Sequence, residues 1–169
     1  MVVVVADSTP LIYLSRVGVL DVLATLFGDV LIPSAVSDEV IQKRSSAPGV
    51  KALRQATWLR VVDTELPAVD LGLDPGETAA ILLAEQVHAD LLLIDERLGR
   101  QVAQSRGLAV RGTLGVLVHA RETGVVPALR PVLDALIAQG FRIAPPLVSE
   151  ALARVGERNE GSAPEIDGA

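Results

Sequence analysis

Two aspartates each close a short, unbroken apolar run: Asp7 follows Val-Val-Val-Val-Ala, and Asp95 follows Leu-Leu-Leu-Ile. Apolar runs of this length without alternation fit strands buried on both faces. An acid at the end of such a strand emerges at the edge of the sheet, partly withdrawn from water. That placement is costly unless a cation or a hydrogen-bond donor meets the charge. Asp7 could instead cap the helix that follows, although Ser8 and Thr9 offer the same service. The pair therefore reads first as ligands for a cation.

Two further acids carry competing readings. Asp74-Pro75-Gly76-Glu77 has the spacing of a capping box, in which the acid reaches back to the first residue of the helix. Glu77 also heads a face continued by Ala80, Ile81 and Ala84, small enough to bring it close to a sheet edge. Glu39 lies on a helix carrying Val36, Val40 and Lys43, and its neighbour Asp38 points about 100° away. Only one of the two can face a site, and spacing alone leaves Glu39 open as a solvated surface acid.

The elements that must position these acids alternate between β-branched runs and helical stretches. Strands are expected over 2–6, 30–32, 58–62, 91–94 and 108–110. Helices are expected over 12–17 behind a Thr9-Pro10 start, 19–27, 34–43 capped by Ser34, 50–56, 74–87, 96–106, 114–123, 127–139 and 147–155. This order predicts an α/β fold: an about five-stranded, mostly parallel sheet with helices on both faces. Ligands of such sheets bind beyond the C-terminal strand ends, near the switch in strand order. Residues 1–155 read as one domain, and the polar stretch 156–169 as a disordered tail.

Bulk composition excludes several classes. Half of the 169 residues are hydrophobic and only four are aromatic, so Val, Leu, Ile and Ala must build the core. No apolar run approaches the roughly 18 residues of a membrane span, and the first residues lack a signal-peptide pattern. The absence of cysteine removes disulfides and thiolate metal sites. A cytoplasmic protein is the expectation. Fifteen basic residues against 21 acidic give a net charge of −6, which argues against holding nucleic acid by bulk charge. Only Lys43 and Lys51 are lysines; the remaining basic residues are arginines.

Other constellations fail. His88 and His119 are isolated, and there is no Gly-x-Gly-x-x-Gly, Walker A or Gly-x-Ser-x-Gly sequence. A phospho-acceptor receiver wants a lysine late in the chain, but none follows Lys51. A haloacid-dehalogenase-type phosphatase wants a second aspartate where Thr9 stands. The early apolar residues Leu20, Val22, Leu23, Leu26 and Phe27 offer either core packing or spare surface for a homodimer or a partner chain.

Four segments together resemble the PIN-domain family: Val-Val-Ala-Asp-Ser-Thr-Pro-Leu-Ile, Ile-Pro-Ser-Ala-Val-Ser-Asp-Glu-Val, Gly-Glu-Thr-Ala-Ala-Ile-Leu-Leu-Ala and Leu-Leu-Ile-Asp-Glu-Arg-Leu-Gly-Arg. With Arg-Gly-Thr-Leu-Gly-Val-Leu around Gly112, the chain is similar to a prokaryotic subgroup close to the VapC-type toxin ribonucleases. The resemblance implies a PIN-like three-layer sandwich and a Mg²⁺- or Mn²⁺-dependent endoribonuclease, the toxin of a toxin–antitoxin pair. An RNA substrate, an antitoxin partner and a homodimer come with it. A catalytically weak or inactive PIN-like binding module is the alternative.

Carried over by position, the family's catalytic acids fall on Asp7, Glu39, Glu77 and Asp95. Of these, Asp7, Glu77 and Asp95 are the expected metal ligands, and Glu39 is a ligand or orients water. Ser8 or Thr9 supplies the hydroxyl that follows the first aspartate. Arg97 and Arg100, one turn apart, are candidate phosphate contacts, with a solvated helix face as the other reading. Glu77 stands where VapC-type toxins usually have aspartate, and Arg97 where many members carry a further acid.

Overall fold

The first strand is entirely buried, as its unbroken apolar run requires: β1 (Val4–Ala6) lies at the centre of a five-stranded sheet. In the computed structural model, which describes residues 1–158, the strand order is β3-β2-β1-β4-β5, with every pairing parallel. The partners are β2 (Val30–Pro33), β3 (Leu59–Val62), β4 (Leu91–Leu93) and β5 (Val110–Arg111). Parallel neighbours need crossovers, and helices supply them. The expected α/β architecture is therefore observed.

Strand order reverses between β1 and β4. The chain winds outward from β1 through β2 to β3, then returns to the other side of β1 for β4 and β5. The crevice beyond the carboxyl ends of β1 and β4 is thus the topological switch point. Asp7 leaves β1 there, and its backbone N–H donates to the Leu93 carbonyl at 2.9 Å. Asp95 follows β4 by two residues, so both strand-end aspartates flank this crevice.

Several helices differ from the expected bounds. α1 (Ser8–Arg16) starts at Ser8, with Asp7 rather than Thr9 in the capping position. α2 (Val22–Phe27) begins three residues later than expected. Val22 and Leu23 of this helix, with Leu20 just before it, are buried within the core, while Leu26 and Phe27 pack against it. That segment is core packing rather than spare surface.

The helix expected over 34–43 is divided. α3 (Ser34–Ser37) passes into a π-turn over Asp38–Gln42, and Pro33, not Ser34, precedes the first helical residue. Ser34 instead donates to Asp63 at 3.2 Å. Wide turns of this kind favour functional positions because they re-aim side chains.

α4 (Val50–Gln55), α5 (Pro75–Gln86), α6 (Arg97–Ser105), α7 (Thr113–Glu122), α8 (Leu129–Ala138) and α9 (Pro145–Arg154) complete the fold. α5 packs along β1, β2 and β4, which brings its first turn over the switch point. Glu157 accepts hydrogen bonds from the Leu129 and Arg130 backbone N–H groups, fastening the chain after α9 to the start of α8. Of the stretch read as a tail, residues 159–169 lie outside the described residues.

Candidate active site

Asp7 sits at the N-terminal end of α1 but makes no capping bond with its side chain. It is 3% exposed. Burial, reinforced by the charges of Glu77, Asp74 and Glu39, pushes its carboxyl up to about 7, against an opposing hydrogen bond from the Ser8 backbone. A buried carboxylate that feels the charge of three others is unstable by itself and calls for a positive partner.

Glu77 meets its capping reading. Its backbone N–H donates to Asp74 Oδ1 at 2.8 Å, so Asp74 caps the helix as the spacing predicts. The side chain is nevertheless buried beside Asp7, and desolvation, then Asp74, raises its pKa. One glutamate serves the helix end and the acidic cluster together.

The π-turn places Glu39 and Asp38 differently. Asp38 is exposed, whereas Glu39 is half-buried and accepts a 2.8 Å hydrogen bond from the Ser8 hydroxyl. Gly76 makes that approach possible: a Cβ there would fall 2.9 Å from Glu39 Oε2 and 3.6 Å from Ser8 Oγ. In Gly76→Ala the glutamate tip must move, while the helix gains a better former. The expected result is an unchanged or higher melting temperature with the Glu39–Ser8 contact displaced; a lower melting temperature would show that these side chains cannot give way.

Asp95 is held differently. Both carboxylate oxygens are met by Thr113, Oδ1 by its backbone N–H and Oδ2 by its hydroxyl, each at 2.7 Å. Burial still raises its pKa, opposed by Thr113 and by the nearby Arg100. A Cβ on Gly112 would lie 2.9 Å from Asp95 Oδ1 and 3.5 Å from Arg100 Nη1, so only glycine leaves this packing undisturbed. Asp7, Glu39, Asp74 and Glu77 share one field, whereas Asp95 stands beside Thr113 and Arg100. Glu96 links the two, since its charge acts on both Glu77 and Asp95. Thr9, Arg97 and Arg100 line a cleft that begins at Asp95.

The sequence reading missed Asp74 as a member of the acidic field, Glu96 as the link, Thr113 as the holder of Asp95, and the two glycines. A glycine directly before Glu77, and a Gly-Thr pair entering a helix after β5, were the available signals.

A family model described as a PIN domain matches residues 3–157. The chain belongs to the PIN-domain family. A search of curated proteins returns no match. PIN domains are in general nucleases that use divalent metals, and the acids of this PIN domain supply hard oxygen donors suited to such ions. The raised pKa of buried Asp7 fits the same group, because a dication would offset both the burial of the charge and the neighbouring acids that raise it. Among the described residues, no three acidic or histidine side chains are drawn together into a ready-made ion site. No helix among the described residues is long and apolar enough to cross a membrane.

Proposed function

We propose that this PIN domain is a metal-dependent endoribonuclease acting in the cytoplasm. The observation that carries the reading is a buried Asp7 at the topological switch point, within the field of Glu39, Asp74 and Glu77. Asp7, Glu77 and Asp95 would hold Mg²⁺ or Mn²⁺. When bound, such an ion activates water and offsets charge on a phosphate.

The remaining roles belong to the chain itself. Ser8 holds Glu39 through its hydroxyl and so fixes a carboxylate able to accept a proton from a nucleophilic water. Thr9 lies at the lip of the cleft, where its hydroxyl can meet a phosphate. Arg97 and Arg100 supply cations next to Asp95. Net charge −6 does not preclude a polyanionic substrate, because the local field at the site governs binding there.

A toxin role, a small antitoxin partner and a homodimer extend the reading, supported by the likeness in sequence to VapC-type toxins. A second reading, a weak or inactive module that binds nucleic acid or protein, draws on two observations. Thr113 engages both oxygens of Asp95, and Arg97 stands where many relatives of that type carry an acid.

The test is cleavage of structured RNA with Mn²⁺, with EDTA, Glu39→Gln and Asp38→Asn alongside. Cleavage abolished by EDTA, impaired in Glu39→Gln and retained in Asp38→Asn is expected. No cleavage by the wild-type chain favours the binding module. Calorimetry of Mn²⁺ with Glu77→Gln is expected to show weakened binding; an unchanged isotherm returns Glu77 to its capping box alone.

A further inference from the structure

The stretch from Val40 to Val62 holds Lys43, Arg44, Lys51, Arg54 and Arg60 and not one aspartate or glutamate. A third of the chain's 15 basic residues, with both of its lysines, thus falls in an acid-free segment of a chain that carries −6. Arg60 is paired with Asp29 at 3.2 Å. The other four make no salt bridge among the described residues. None of them lines the cleft beside Asp95.

The fold gathers these four on one shoulder. Lys43 closes the π-turn, and its backbone N–H donates to the Asp38 carbonyl at 2.9 Å. Two tight turns follow, closed by Ala47 N–H on the Arg44 carbonyl at 2.8 Å and Val50 N–H on the Ala47 carbonyl at 3.3 Å. They lead into α4, which packs on both the π-turn and α1. A Cβ on Gly49 would fall 2.8 Å from the Ser15 carbonyl carbon, so this loop is pressed against the end of α1. α4 buries Val50 and Leu53 and leaves Lys51 and Arg54 exposed, three residues apart on one face. Lys43 is exposed and Arg44 half-buried.

The shoulder adjoins the acids without belonging to them. Glu39 lies in the π-turn that Lys43 closes, and Ser8, its partner, starts the helix that Ser15 ends, about 10 Å further along. These elements connect β2 to β3, whereas the cleft beside Asp95 is built chiefly after β4 and β5. No aromatic residue stands between Phe27 and Trp58, and Trp58 packs against the core. The surface therefore offers cations but no ring on which an unpaired base could stack. Cations alone suit a regular backbone whose bases are turned inward, which is how paired RNA presents itself.

We propose that this shoulder is a docking surface for the phosphate backbone of base-paired RNA, holding a stem while the adjoining strand reaches the acidic site. The proposal rests on the nuclease reading for the fate of that strand, but its binding test stands apart from cleavage.

Fluorescence anisotropy of a labelled RNA hairpin in EDTA, which leaves it uncut, measures the docking directly. Lys51→Ala with Arg54→Ala is expected to weaken hairpin binding about tenfold. The slope of log affinity against log salt should flatten by about 0.9 for each lost phosphate contact. An unpaired oligouridine of equal length should bind the variant as it binds wild type. Lys51→Arg with Arg54→Lys keeps both charges and is expected to keep affinity and slope, as is Arg60→Ala, whose cation is already paired.

Unchanged affinity and slope in the alanine variant overturn the docking surface. An oligouridine weakened as much as the hairpin overturns its preference for paired RNA. A hairpin indifferent to the alanines, with polyglutamate that binds wild type and not the variant, hands the shoulder to an acidic protein segment instead. Wild-type chain with Mn²⁺ is assayed for cleavage in parallel. Hairpin binding lost in the alanine variant, with no cleavage by wild type, keeps the surface and removes the nuclease reading. Cleavage by wild type, with binding indifferent to the alanines, does the reverse.

Discussion

Asp7→Asn is expected to abolish phosphodiester cleavage and, in metal-free protein above neutral pH, to make the fold more stable. The two effects share one cause. A carboxyl held at about 7 instead of 3.8 binds its proton more tightly folded than unfolded. Between those pH values the native state carries more protons than the unfolded chain, so stability falls as pH rises. By pH 8 the accumulated cost is about 4 kcal/mol. Asparagine keeps the shape and can still accept from the Ser8 backbone, but it carries no charge to desolvate.

Thermal melts in EDTA at pH 5 and pH 8 check this. The wild type should lose stability across that interval, and Asp7→Asn should lose much less, with a gap at pH 8 on the order of 10 °C. Added Mn²⁺ should restore the wild type and leave the variant unmoved, since only a ligand that binds the native state stabilises it. Cleavage should drop by at least about a hundredfold, in line with losing a group bound to the ion. Equal pH dependence in the two proteins would show that Asp7 bears no such burden. Stability sacrificed at a buried acid is what a functional site looks like energetically.

The strands and the pair Asp7/Asp95 were readable from sequence for one reason. Parallel strands covered on both faces must be apolar without alternation, and the first charge after such a run marks the strand's end. β1 and β4 obey this, and their ends flank the switch point. The edge strand β3 was legible mainly from its β-branched residues, because half of it faces solvent.

Glu39 was not separable from Asp38 by spacing, since the deciding feature is a π-turn, which no 3.6-residue periodicity announces. Asp74 was legible as a cap, and its contribution to the charge around Asp7 depends on how α5 docks across the sheet. Thr113 was beyond reach for a similar reason. It lies eighteen residues from Asp95, and only the β4–β5 pairing brings them together. Local chemistry announces which side chains want a partner; long-range topology chooses the partner.

That choice is strongest at Thr113, where the second large effect is expected. Thr113 is fully buried, and both of its donors go to Asp95. Thr113→Val preserves shape and the backbone bond to Oδ1 but leaves Oδ2 without its hydroxyl donor. A half-buried carboxylate stripped of one donor costs about 1–3 kcal/mol. It is also freed to rotate, and misaiming a metal-binding acid typically lowers activity by about 10–100-fold. Because the Thr113 hydroxyl opposes the upward shift of the Asp95 carboxyl, its removal raises that pKa further. The acidic limb of the pH–rate profile should therefore move to higher pH in Thr113→Val and stay in place in Thr113→Ser, which keeps the donor. Simple loss of folded protein would scale the whole profile down without moving the limb. A valine variant with the wild-type limb and turnover would reduce Thr113 to a packing residue and leave Asp95 to be positioned by the β4–α6 backbone alone.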